Sequence, residues 1–121
     1  MTNIFEDQKK FMEACDQTTN QLNEKQFNLY CKLIREETNE LIDAIMVNDR
    51  KEILDALIDI LVVTTGAIHS GGFNGEGAWK EVMKTNFAKI DPQTGKVKKR
   101  EDGKILKPEG WKAPELDEFI K

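Results

Sequence analysis

The stretch EETNELIDAIMVNDRKEILDALID, residues 36–59, carries acidic side chains at steps of three and four within apolar sequence. Such steps place side chains on one face of an α-helix. Unpaired carboxylates among apolar neighbours are energetically costly. We therefore expect a compensating ligand, and a divalent cation is the obvious candidate. The five acids concerned are Glu37, Glu40, Glu52, Asp55 and Asp59.

Apolar periodicity on both sides of this stretch predicts an all-α fold. The pattern favours a four-helix bundle-like core over residues 3–90, in a single domain spanning 1–121. The helices are predicted at about 3–17, 24–47, 50–70 and 75–88, with Asn3 and Asp49 as N-caps.

The remainder, residues 91–121, is rich in Lys, Gly and Pro. Asp102-Gly103 is a typical hairpin turn. We therefore predict a short β-hairpin or an extended arm there, followed by a loop that Trp111 anchors.

The bulk composition excludes several classes of partner. The net charge of −4 argues against electrostatic binding to nucleic acid or to an anionic membrane. No uninterrupted apolar run approaches the ~20 residues of a membrane span. The N-terminus has no signal-peptide pattern, so we expect a cytoplasmic protein. A helical chain of 121 residues gains from sharing its core with a second copy, so we expect a homodimer or homotetramer.

The short connection at Asn48-Asp49 favours an antiparallel pair of helices. The helical rise then places the five acids at similar heights on the facing sides of the pair. Carboxylate oxygens suit Mg²⁺, with Mn²⁺ as a substitute. The chemistry indicated is metal-assisted attack of water on a phosphoanhydride, with a spare carboxylate as proton acceptor. The competing interpretation is a solvated acidic face paired with nearby basic residues, namely Lys32, Arg35, Arg50 and Lys51.

Two short acidic patterns carry a resemblance to a known family. They are Glu37-Thr-Asn-Glu40 and Glu52-Ile-Leu-Asp55, preceded by KLIREE (32–37) and followed by ALIDILVVTTGA (56–67). Together they resemble the E-x-x-E and E-x-x-D motifs of the all-α nucleoside triphosphate pyrophosphohydrolases. This MazG-like group includes dimeric dUTPases and phosphoribosyl-ATP pyrophosphohydrolase. The resemblance extends over about residues 5–115.

This resemblance implies Mg²⁺-dependent cleavage of an NTP or dNTP between the α and β phosphates, as house-cleaning of the nucleotide pool. It implies that the metal ligands are Glu37, Glu40, Glu52 and Asp55. Glu36 and Glu37 are the candidate catalytic residues, and Asp59 is an additional ligand or outer-shell partner. Two alternatives are a non-catalytic helical module that binds nucleotide or metal, and a phosphoribosyl-ATP pyrophosphohydrolase.

The segment EVMKTNFAKI (81–90) resembles a stretch that binds substrate phosphates in the same group. The resemblance points to Asn86 and Lys89, with Lys84 as a third candidate. Asn86 and Lys89 are three positions apart and share a helical face. The alternative interpretation is that these residues form a solvated cationic helix end.

Overall fold

Within residues 3–120, which the computed structural model describes, the regular structure is helical, so the all-α prediction is confirmed. The four α-helices are α1 (Ile4–Ala14), α2 (Glu24–Met46), α3 (Arg50–Ser70) and α4 (Gly75–Phe87), and a 3₁₀ turn covers Asp117–Phe119. The predicted α2, α3 and α4 end within one residue of the observed ends. The predicted α1 is three residues too long, because Asp16 adopts a positive φ of 59° that ends the helix.

Polar caps fix where the first three helices begin. The side chains of Asn3 and Asp49 accept hydrogen bonds from the amides of Glu6 and Glu52, which confirms both predicted caps. Asn23 does the same for the amide of Gln26, at 3.1 Å. This third cap was not predicted from the sequence.

The chain divides into two compact units, one of which holds α1 to α3 and the other Glu76–Phe119. The predicted single domain over residues 1–121 and the predicted bundle-like arrangement of all four helices remain predictions. In the first unit, α3 packs against both α2 and α1. Its core consists of Met12, Tyr30 and Ala67, and these partly buried side chains pack against it: Phe27, Leu33, Ile34 and Val63.

The α2–α3 pair runs antiparallel, with Tyr30 opposite Gly66 and the turn at Val47–Asp49 closing the other end. A Cβ atom at Gly66 would overlap the Tyr30 ring, so glycine permits the close approach of the two helices. Gln26 on α2 donates to the Ser70 hydroxyl at 2.8 Å, which ties the start of α2 to the end of α3. These contacts hold the register of the two helices that carry the acidic residues.

The predicted C-terminal β-hairpin is not supported. Among residues 3–120 there is no β-strand, and only an isolated bridge between Lys99 and Ile105 closes the turn at Asp102-Gly103. Residues 98–106 are all exposed and largely charged, so they have no apolar face to pack. A lone two-stranded ribbon of this kind is marginally stable in water.

Helix α3 is long and apolar enough to cross a membrane, judged by length and composition alone. Its most apolar 18-residue stretch has a mean hydropathy of 1.6, and 39% of that stretch is buried. The apolar runs of the sequence did not indicate this. A central helix of a soluble protein passes the same test, so the result is weak evidence for a membrane span.

Candidate functional site: an acidic cavity between two helices

A cavity of about 580 Å³ lies between α2 and α3, next to the turn that joins them. Among residues 3–120, ten line it; seven of these are acidic and none is basic. We call it the acidic cavity. The acids are Glu37, Glu40, Asp43, Asp49, Glu52, Asp55 and Asp59, and the other lining residues are Ala44, Val47 and Ala56.

The structure therefore brings together all five acids that the helical spacing placed on facing sides. It also adds Asp43 and Asp49, which the sequence analysis did not assign to the site. Asp43 continues the three-residue steps from Glu37 and Glu40, so the same spacing rule could have found it. Asp49 was identified only as a cap. Glu36, a candidate catalytic residue, is exposed and is not among the residues that line the cavity.

Glu37 has the most perturbed environment in the cavity. Its carboxyl pKa is raised from 4.5 to about 7, first by a hydrogen bond with Glu40 and then by burial and the charges of Glu40, Asp59 and Asp55. When both carboxyls are ionised no proton lies between them, and the buried Oε2 of Glu37 has no hydrogen-bond partner. The ionised form of Glu37 is therefore poorly compensated by the protein itself.

The carboxyl of Asp59, on helix α3, also has a raised pKa. Burial raises the pKa of its carboxyl, and the charges of Asp55 and Glu40 raise it further. Glu37 on α2 and Asp59 on α3 share two perturbing neighbours, Glu40 and Asp55, so these four carboxylates form one electrostatic unit.

Basic side chains do not neutralise this unit. Within the described residues, the ion pair at salt-bridge distance is Arg100–Asp102, at 2.6 Å, and it involves none of the seven acids. Pairing of these acids with Lys32, Arg35, Arg50 and Lys51 is therefore not supported. The competing interpretation does agree with the structure in one respect, since five of the seven acids are exposed to solvent, namely Glu40, Asp43, Asp49, Glu52 and Asp55. The unpartnered Glu37 oxygen and an all-carboxylate donor set fit a hard divalent cation by chemistry.

The spacing of these side chains is wider than a metal site requires. Over residues 3–120, no three acidic, histidine or cysteine side chains are grouped closely enough to hold a metal ion. Repulsion between like charges in a partly buried space favours such spreading. The metal site thus remains a prediction about side chains that share one cavity.

The three candidate substrate-binding residues belong to the second unit. The Lys89 ammonium donates to the Asn86 carbonyl oxygen at 3.1 Å, so these two side chains do share a face. Lys84 lines a second cavity of about 540 Å³. That cavity also contains Trp111, whose indole N–H donates to the Thr85 carbonyl at 2.7 Å. The predicted anchoring of the C-terminal loop by Trp111 is confirmed.

The raised pKa of Glu37 predicts how the stability of the metal-free protein depends on pH. A carboxyl with a pKa of about 7 in the folded state and 4.5 in the unfolded state binds more protons when folded. Its contribution to the free energy of unfolding is therefore complete below about pH 4.5 and is lost as the pH rises through about 7. Urea unfolding in a chelator at several pH values measures this loss, which Glu37→Gln should reduce.

The matched control is Glu36→Gln, which removes the same charge next to Glu37 but outside the cavity. It should show the pH dependence of the wild type. An equal loss of stability between pH 5 and 7 in Glu37→Gln and in the wild type would refute this account of the cavity.

Comparison with known protein families gives a match that covers both helices of the acidic cavity. Residues 5–86, more than half of the chain, match the family described as Phosphoribosyl-ATP pyrophosphohydrolase. A search of curated proteins found no match. The matched range contains all seven acids of the cavity, together with Lys84 and Asn86. Members of this family are hydrolases that act on phosphoanhydride bonds. The chain therefore belongs to the phosphoribosyl-ATP pyrophosphohydrolase family, within the all-α nucleotide pyrophosphohydrolases.

Proposed function

We propose that the protein hydrolyses nucleoside triphosphates between the α and β phosphates, with Mg²⁺ as cofactor. The products are a nucleoside monophosphate and pyrophosphate, and the biological role is removal of unwanted NTPs or dNTPs. The observation that supports this best is the gathering of seven carboxylates in one cavity without a basic partner among the described residues. Such a cavity repels a free triphosphate and favours one that arrives with cations.

The residues that would hold the cation are Glu37, Glu40, Glu52 and Asp55, with Asp59 and Asp43 close to them in the cavity lining. When bound there, Mg²⁺ would offset phosphate charge and increase the acidity of a water molecule. Mn²⁺ is the expected substitute, since it also prefers oxygen ligands.

The remaining steps fall to side chains of the protein. A carboxylate has to accept the proton of the attacking water, and Glu37 is the better of the two candidates because Glu36 lies outside the cavity lining. We assign phosphate binding to Lys89, Asn86 and Lys84. The hydrogen bond from Lys89 to Asn86 restrains the ammonium group and supports this role.

A second candidate substrate is phosphoribosyl-ATP, which the family match favours specifically. It contains the same triphosphate, so the acidic cavity serves either substrate equally well. The choice between them depends on how the protein recognises the base and the sugar. The family match also favours an enzyme over the non-catalytic module considered from the sequence.

The test is hydrolysis of a panel of canonical and modified dNTPs and NTPs beside phosphoribosyl-ATP, with monophosphate and pyrophosphate quantified. Glu40→Gln and Asp55→Asn should each lower kcat/KM at least about a hundredfold, or about 2.7 kcal/mol in transition-state stabilisation. Chelation of Mg²⁺ should abolish turnover, and added Mg²⁺ should restore it.

Glu13→Gln is the control for these variants, since Glu13 is an exposed acid on α1 outside the cavity. It should keep wild-type kcat/KM. Wild-type turnover in Glu40→Gln, or turnover that survives removal of Mg²⁺, would exclude the proposed mechanism. Preference for phosphoribosyl-ATP over every NTP and dNTP would transfer the proposal to that substrate.

We also propose that the protein works as a homodimer or homotetramer. Apolar side chains at steps of three and four on α3 are about half exposed in the single chain, namely Leu54, Leu57, Ile58 and Leu61. A contiguous apolar face of this kind is typical of a surface that another protein copy covers.

Sedimentation equilibrium at micromolar concentration should therefore show a dimer or tetramer. Leu61→Glu should shift it towards monomer, because it places a charge on the apolar face of α3. Lys9→Glu, on an exposed position of α1, is the control and should leave the association unchanged. A monomeric wild type would contradict the proposal.

A further inference from the structure

Two lysine side chains converge on one tryptophan in the second unit. The ammonium nitrogens of Lys89 and Lys107 each lie 5.0 Å from the centre of the Trp111 ring. Both distances are within the range of a cation–π interaction. The two ammonium groups are therefore no more than about 10 Å apart, although Lys89 and Lys107 are eighteen positions apart in the chain. We call these three residues the Trp111 clamp.

The clamp is anchored at the end of α4. The indole N–H of Trp111 donates to the Thr85 carbonyl at 2.7 Å, and its backbone amide donates to the Pro108 carbonyl at 3.1 Å. Thr85 is itself buried. The ammonium group of Lys89 in turn donates a hydrogen bond to the side-chain oxygen of Asn86 on α4, at 3.1 Å. The ring and one of its two cations are thus held in place by α4.

Neither lysine is neutralised by a carboxylate. The ion pair that the described residues contain, Arg100–Asp102, involves neither Lys89 nor Lys107. Two ammonium groups near one ring repel each other, and an aromatic face offsets only part of that cost. An anion with several oxygens could bind both groups at once and relieve the repulsion, and charge-assisted hydrogen bonds of this kind are strong.

We propose that the Trp111 clamp binds a polyphosphate chain, with Lys107 as a second phosphate-contacting cation beside Lys89 and Trp111 as the positioning residue. The assignment of that chain to the substrate or to the pyrophosphate product rests on the proposed function. The chemistry of the clamp does not, since it requires only adjacent phosphate groups. It gives a specific role to Lys107, which lies in the C-terminal segment.

Isothermal titration of the full chain with inorganic tripolyphosphate tests the clamp directly. A chelator excludes divalent cations, so the acidic cavity repels the anion and contributes no affinity. Lys107→Gln should raise the Kd about tenfold, as expected for loss of one charge-assisted contact. Lys104→Gln is the matched control, because it makes the same charge change in the same exposed segment but outside the Trp111 clamp. It should change the Kd less than about twofold.

A pair of substitutions at Trp111 separates positioning from simple structural support. Trp111→Phe and Trp111→Leu both lose the hydrogen bond to Thr85, but only phenylalanine keeps an aromatic face for the two cations. We expect near-wild-type affinity for Trp111→Phe and a Kd about fivefold higher for Trp111→Leu, because without an aromatic face the two ammonium groups are no longer held next to each other. Should Trp111→Leu fail to fold, the comparison of Lys107→Gln with Lys104→Gln decides alone.

Equal tripolyphosphate affinity in Lys107→Gln and Lys104→Gln would overturn the clamp, even for an enzyme that hydrolyses nucleotides. Weakened binding in Lys107→Gln alone would support the clamp, even for a protein without turnover. The two proposals therefore fail separately.

Discussion

Repulsion among four carboxylates between two packed helices, those of Glu37, Glu40, Asp55 and Asp59, is the constraint on which the account of this protein depends. The helices α2 and α3 bring these acids together because a short turn, the Tyr30–Gly66 contact and the Gln26–Ser70 hydrogen bond fix their register. The pKa of Glu37 is raised first by its hydrogen bond with Glu40 and that of Asp59 first by burial, and the charges of neighbouring carboxylates raise both further. Above about pH 7 such a cluster lowers the stability of the fold, which supports the proposal that a cation binds to it.

Helical periodicity and capping rules were sufficient to predict most of the first unit. Apolar residues at helical spacing identified α2 and α3 almost to the residue, and the facing acids followed from the helical rise. Asp43 was missed, although it continues the spacing of Glu37 and Glu40, because it lies beyond the E-x-x-E pattern that drew attention. Glu36 lies outside the lining of the acidic cavity because consecutive residues of a helix point about 100° apart, and its catalytic role stays a prediction.

The second unit was harder to predict because its contacts join residues far apart in the chain. The turn residues Asp102-Gly103 correctly marked a reversal, but hairpin formation depends on an apolar face that the flanking charged segment lacks. Trp111 was identified as an anchor, whereas the approach of Lys89 and Lys107 to it has no periodic signal. Cation–π contacts between distant positions are set by tertiary packing, which a single sequence does not reveal.

The central claim is that the facing carboxylates of α2 and α3 bind divalent cations, and titration with Mn²⁺ followed by electron paramagnetic resonance measures this most directly. Unbound Mn²⁺ gives the signal, so its loss reports binding without any substrate or turnover. We predict that the wild type binds Mn²⁺ at pH 8 and that the double variant Glu40→Gln/Asp55→Asn binds it at least about tenfold more weakly, while Glu13→Gln is unchanged. Equal Mn²⁺ affinity in the wild type and the double variant would contradict the account.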